Sequence, residues 1–220
     1  MPIRIAVPNA IELYAEAFED AGANTPVGPN STVRGETIIC MAPRAWNSLW
    51  RDSQHIMSRL ARHNRILHFE PGRNPDRRHA AEMVHNLPNF FRLRTETVSE
   101  NLIVVKSPSS LPIMRHHLPA ALLRLTTPLV VKINTAIMTR HVRRVLRAFD
   151  VQAPILWLYS PYQVNLVGKF NEKLACYYNY DEFPDFVQNR RVKEILRRYD
   201  NQLSSRVDVV FATSRSQWKR

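Results

Sequence analysis

The sequence has too few cysteines for a disulfide framework. Cys40 and Cys176 are the only two, far apart and each inside an apolar run, which reads as a pair of buried thiols in a reducing compartment. It also lacks the motifs that hold common cofactors. No G-x-G-x-x-G follows the first strand candidate and no G-x-x-x-x-G-K-[ST] occurs, so neither a dinucleotide fingerprint nor a phosphate loop is present. With no C-x-x-C and no H-E-x-x-H there are no zinc ligands at a usual spacing, and no metal is expected. The His116 and His117 pair reads as exposed in a basic segment. G-x-S-x-G is absent, which removes support for a serine hydrolase. No apolar run approaches the roughly 20 residues that span a bilayer. The first residues, MPIRIAVPNAIELYAEAFEDAG, lack a basic region followed by a long apolar core, so they do not read as a secretory signal. These absences predict a cytoplasmic protein and leave peripheral contact with the inner face of the cell membrane open.

What is present is positive charge. Lys and Arg number 31 against 19 Asp and Glu, a formal net charge of +12. That excess predicts an anionic partner: a phosphorylated substrate, an acidic membrane surface or nucleic acid. Residues 1–36 run the other way, with Arg4 and Arg34 against Glu12, Glu16, Glu19, Asp20 and Glu36. In that stretch IELYAEAFEDAG has the spacing of a short helix and NTPVGPNSTVRG is loop chemistry, so 1–36 is predicted to be an appended arm.

From Glu36 onward short apolar runs alternate with amphipathic stretches. Strands are predicted over 37–42, 65–71, 101–108, 154–161, 173–181 and 207–214, and helices over 52–63, 126–150 and 190–206. The long helix is expected to open just after Thr127, with Pro128 at an early position. This alternation predicts an α/β fold over 37–220, a Rossmann-like sandwich with a mostly parallel sheet and helices on both faces.

In such a sheet ligands bind beyond the carboxyl ends of the strands. PRAWNSLWRDSQHIM follows the first predicted strand, YSPYQVN the fourth, YDEFPDF the fifth and TSRSQ the sixth. These ends supply Trp46, Arg51, His55, Tyr159, Asp181, Glu182 and Ser214, a mixture of stacking surfaces, donors and carboxylates suited to a polyhydroxylated ligand. Solvated loops pinned by Trp46 and Trp50 are the competing reading.

The order WxxxWRDSQHIMSRLA, RILHFEP, PILWLYSP, CYYNYDEF, VDVVFATS resembles the amino-terminal half of GT-B glycosyltransferases. The likeness is to those of bacterial cell-surface polysaccharide assembly, related to the teichuronic acid enzymes. It rests on Trp46, Trp50, Arg51, Gln54 and His55, on Glu70 and Pro71, on Tyr177, Asp181 and Glu182, and on Ala212 to Ser214, and covers roughly 37–220. It implies sugar transfer from a nucleotide diphosphate sugar to a sugar or lipid-linked acceptor without an obligatory metal, by a general base for which Asp181 is the first candidate and His55 the second. Trp46, Arg51, Tyr159, Glu182 and Ser214 would then bind the acceptor.

In the family a carboxyl-terminal domain supplies most of the donor site, and these 220 residues contain no counterpart. The expectation is an acceptor-side domain that binds no cofactor itself and is inactive without that second domain or a partner subunit. A catalytically silent partner module and a basic nucleic-acid-binding module with the same fold stand as alternatives. Against the second, the basic residues are spread over several helices and no specific nucleic-acid-binding motif occurs.

Overall fold

A computed structural model describes residues 3–6, 33–72, 92–111, 120–180 and 190–213. Eight strands form one sheet: β1 (Ile3–Ala6), β2 (Thr37–Met41), β3 (Arg65–Phe69), β4 (Thr95–Ser99), β5 (Leu102–Val105), β6 (Ile155–Leu158), β7 (Leu174–Asn179) and β8 (Val209–Ala212). Their spatial order is β1-β8-β7-β6-β2-β3-β5-β4. All neighbours are parallel except β4 and β5. The predicted α/β class is the observed one.

The inner strands are nearly all apolar because both of their faces are covered. On one face α1 (Asp52–Leu60) lays Ile56 and Met57 against Cys40, Ile66, Val104, Trp157 and Tyr178. On the other, α2 (Ala120–Ala148) and α3 (Arg190–Arg206) cover Ile39, Leu67, Leu156 and Tyr177 with Val142, Val145 and Leu203. Val142, Val145 and Leu203 are fully buried, and burial of such a side chain stabilises by about 1.5–3 kcal/mol. Consecutive tyrosines of β7 point to opposite faces, as strand geometry requires. Tyr177 donates to Asp200 of α3 at 2.7 Å, and Tyr178 to Asp52 of α1 at 3.3 Å.

Three features depart from expectation. Ile3–Ala6 pairs with β8 as an edge strand, so the predicted arm begins with a piece of the sheet; the helix expected within it lies outside the described residues. Residues 95–99 form an antiparallel edge strand, TETVS, exposed throughout and therefore without the apolar signal that marks a buried strand. The long helix starts at Ala120 rather than after Thr127, and Pro128 lies inside it. The run AALLRL is built of strong helix formers, which offsets the roughly 3 kcal/mol that an interior proline costs.

Among the described residues no helix is long and apolar enough to cross a membrane. Cys40 and Cys176 are buried free thiols, and burial pushes Cys176 up to about 12 and Cys40 higher still, which keeps both protonated.

The winding of the sheet reverses at β2. From β2 the chain proceeds outward through β3 and β5, then returns to place β6 on the other side of β2. The two strand ends at this reversal are joined by Gln163, in the 3-10 turn Pro161–Leu166. Its Oε1 accepts the N–H groups of Tyr159 and Ser160, each at 3.0 Å, and its Nε2 donates to the Met41 carbonyl at 3.2 Å. Gln163→Leu keeps the volume and removes those three hydrogen bonds, so urea denaturation should show a loss of about 2–4 kcal/mol.

Candidate functional site

Beyond the ends of β2 and β6, where open α/β sheets bind ligands, lies a cavity of about 340 Å³. Ala42 and Pro43 after β2 and Tyr159 and Ser160 after β6 form one side of it, and Asn134 and Thr135 of α2 another. Glu70, Pro71 and Gly72 after β3, with Ser110 from the segment after β5, line a further wall. That wall is tight: a Cβ at Gly72 would collide with the Pro108 carbonyl oxygen, so only glycine lets the two loops pass. Asn134 fixes the segment onto α2, accepting from Leu111 N–H and donating to Leu111 C=O, both at 2.8 Å.

The described lining holds no cation and a single carboxylate. Both oxygens of that carboxylate are engaged: Glu70 accepts the Trp46 N–H at 2.8 Å and pairs with Lys106 at 2.9 Å. Lys106 also reaches Glu96 of β4 at 3.6 Å. The space is lined by the hydroxyl residues Ser110, Thr135 and Ser160, the amide residues Asn134 and Gln163 and the rings of Tyr159, Tyr162 and Tyr180. The Tyr162 hydroxyl is buried with no hydrogen-bond partner among the described residues. Burial and then the neighbouring Tyr199 raise its pKa, so it stays a protonated donor. The volume falls at the lower end of the roughly 300–1,000 Å³ of small-molecule sites. A neutral ligand with hydroxyl groups fits this chemistry; a charged one would meet no counter-charge among the described lining residues.

The predicted site residues are divided by the fold. Tyr159 lines the cavity. Trp46 is buried, edge-on to His68 at 5.0 Å and to Trp50 at 5.5 Å, and pins its loop as a core residue does. Arg51 and His55 are exposed at the start of α1, and the His55 ring lies 5.4 Å from that of Trp50. Trp50, not Trp46, is the exposed indole of this loop, at 48%. Asp181, Glu182 and Ser214 lie outside the described residues, as do His116 and His117. Tyr162, Gln163, Asn134 and Thr135 were not anticipated. The first two stand within the YSPYQVN that follows β6, and the last two sit mid-helix, where no motif marks them.

The start of α1 is held by side-chain hydrogen bonds of its own. Gln54 is fully buried, and its Oε1 accepts the Arg51 N–H at 3.1 Å while its Nε2 reaches the Ala45 carbonyl at 3.2 Å and Ser48 Oγ at 3.3 Å. Asp52 adds a negative charge in the first turn. Among the described residues no cluster of His, Cys, Asp and Glu could hold a metal ion. No family model, no curated protein and no solved structure matches the chain.

His68, buried in β3 against Trp46, has its pKa lowered to about 4, because burial opposes the charged ring more than nearby Glu70 favours it. The folded state therefore binds fewer protons than the unfolded chain between that value and the ordinary 6.5. Stability is full above pH 6.5 and falls as pH drops towards 4, by roughly 3 kcal/mol in all, with buried His141 shifted in the same sense. His68→Phe should flatten most of that slope in denaturation curves taken across this range. An unchanged slope would assign the acid sensitivity to other groups.

Proposed function

We propose that this chain is the acceptor-side domain of a GT-B glycosyltransferase and that the cavity between β2, β6 and α2 takes a sugar ring of the acceptor. The observation that carries the reading is the cavity itself. It sits at the winding reversal, it is lined by hydroxyl, amide and tyrosine residues, and the one carboxylate among its described lining is already bonded. The sequence resemblance points the same way. Buried, protonated thiols suit the reducing cytoplasm that this reading assigns to it.

In the complete enzyme the acceptor hydroxyl oxygen bonds to the anomeric carbon of the nucleotide diphosphate sugar. The bond from that carbon to the diphosphate oxygen breaks, the nucleoside diphosphate leaves, and the hydroxyl proton passes to a base. Asp181 is our assignment for the base, since it directly follows Tyr180, a cavity residue at the end of β7. His55 is the second choice, and its neighbour Trp50 offers an exposed face on which a further sugar could stack.

Two measurements test the reading. Saturation-transfer NMR with N-acetylglucosamine and methyl glucoside should detect binding to the chain. Ser110→Phe, which fills the cavity, should weaken that binding about fivefold or more. Absence of any neutral-sugar signal would count against the cavity as the sugar site. In the enzyme carrying both domains, Asp181→Asn should reduce turnover by about 100-fold or more with little change in stability; full activity would remove Asp181 from the role of base.

A further inference from the structure

Beside the cavity, α2 presents a second and chemically opposite surface. Arg140, Arg143, Arg144 and Arg147 are all exposed, three or four residues apart along one side of the helix. At 1.5 Å of rise per residue they spread four guanidinium groups over about 10 Å. They line a trough of about 1480 Å³ to which Lys132, Lys169 and Arg206 add three more cations, and no carboxylate appears in its described lining. The far wall is preset: Arg143 Nε donates to the Lys169 carbonyl at 3.0 Å. Glu172 holds the same loop by accepting from the backbone of Gly168 and, at 3.0 Å, of Phe170. Thr135 lines both this trough and the cavity, and Leu166 in the cavity is flanked in sequence by Asn165 and Val167 in the trough.

We propose that cavity and trough form one bipartite site, and that its ligand is a sugar carrying a chain of two or more linked phosphates, with the sugar in the cavity and the phosphates on the arginines of α2. This rests on the reading of the cavity as a sugar site. Charge complementarity carries the second half: a phosphate chain needs clustered guanidinium groups, and at the first helix start Asp52 places a negative charge in the first turn while the Gln54 side chain takes the capping residue's N–H. The trough contains no aromatic side chain in its described lining, so it offers no stacking platform for the bases of a nucleic acid. Its concave form suits a chain better than a flat lipid surface.

Calorimetry with N-acetylglucosamine 1-diphosphate, inorganic pyrophosphate and free N-acetylglucosamine tests the proposal. The sugar diphosphate should bind more tightly than pyrophosphate. The double variant Arg143→Gln, Arg147→Gln, both at exposed positions, should weaken both phosphorylated probes by about tenfold or more. Ser110→Phe, which fills the cavity and leaves the trough intact, should weaken the sugar diphosphate alone. Unchanged binding in the arginine variant overturns the proposal. If free sugar binds but the diphosphate adds nothing, the bipartite site is wrong and the sugar reading survives. If pyrophosphate binds through the arginines while free sugar does not bind and Ser110→Phe has no effect, the sugar reading itself has failed. Arginine-dependent binding of duplex RNA or of phosphatidylglycerol vesicles, tighter than that of the sugar diphosphate, would replace the proposal with a nucleic-acid or membrane surface.

Discussion

The side-chain amide of Gln163 bridges the place where the chain changes direction. A parallel sheet wound outward from one strand in both directions leaves the two central strand ends without a shared connection, and here those ends belong to β2 and β6. A single amide can accept two N–H groups from one end and donate to a carbonyl of the other, which is how Tyr159, Ser160 and Met41 are held. The loops then diverge around a space that the amide spans at its base. Because the crevice forms where winding reverses, its position follows from topology, while its chemistry follows from the loops that happen to end there.

Those loops are fixed by polar groups used up in holding backbone. Glu70 ties the loop after β2 to Lys106 beyond β5, Gln54 ties that loop to the start of α1, and Asn134 ties the segment after β5 to α2. Each is buried or half-buried and satisfied, as buried polar groups must be if they are not to destabilise the fold. The consequence is a cavity whose charged member, among the described residues, is neutralised and whose remaining polar lining is hydroxyl and amide. Part of the charge excess of the sequence is expressed on the outer side of α2. One helix thus separates two chemistries: its Asn134 and Thr135 meet the neutral cavity, and its arginines meet solvent.

The legibility of these features in the sequence followed burial. β2, β3, β5, β6, β7 and β8 were readable because strands covered on both faces are nearly unbroken apolar runs, several of them bounded by proline. The range of α3 was read to the residue from its strong amphipathic pattern. β4 has no buried residue and so carried no pattern, and the first turns of α2 were hidden by the rule that proline belongs near a helix start. In the site, Tyr159 was found because the first residue past a parallel strand cannot avoid the carboxyl edge. Trp46 follows its strand by five residues, far enough for the chain to turn back and bury the indole against His68. Asn134 and Thr135 join the cavity only through the docking of α2, which no local pattern encodes.

The scarcity of glycine after β2 has a structural counterpart. In doubly wound folds that bind dinucleotides, a tight glycine turn lets the pyrophosphate approach the amino end of the first helix, where unpaired N–H groups and the helix dipole receive it. Here the connection from β2 to α1 is long and carries a buried indole, with a carboxylate in the first helical turn and a glutamine side chain on the capping residue's N–H. Negative charge on a ligand would be repelled there by Asp52 and find fewer donors. Among the described residues a concentration of cations beside the crevice is on α2, so recognition of a phosphorylated ligand in this fold would be moved from backbone amides to guanidinium groups. Guanidinium groups on an exposed helix can follow an extended chain of phosphates, whereas a helix amino terminus receives one anion at a point.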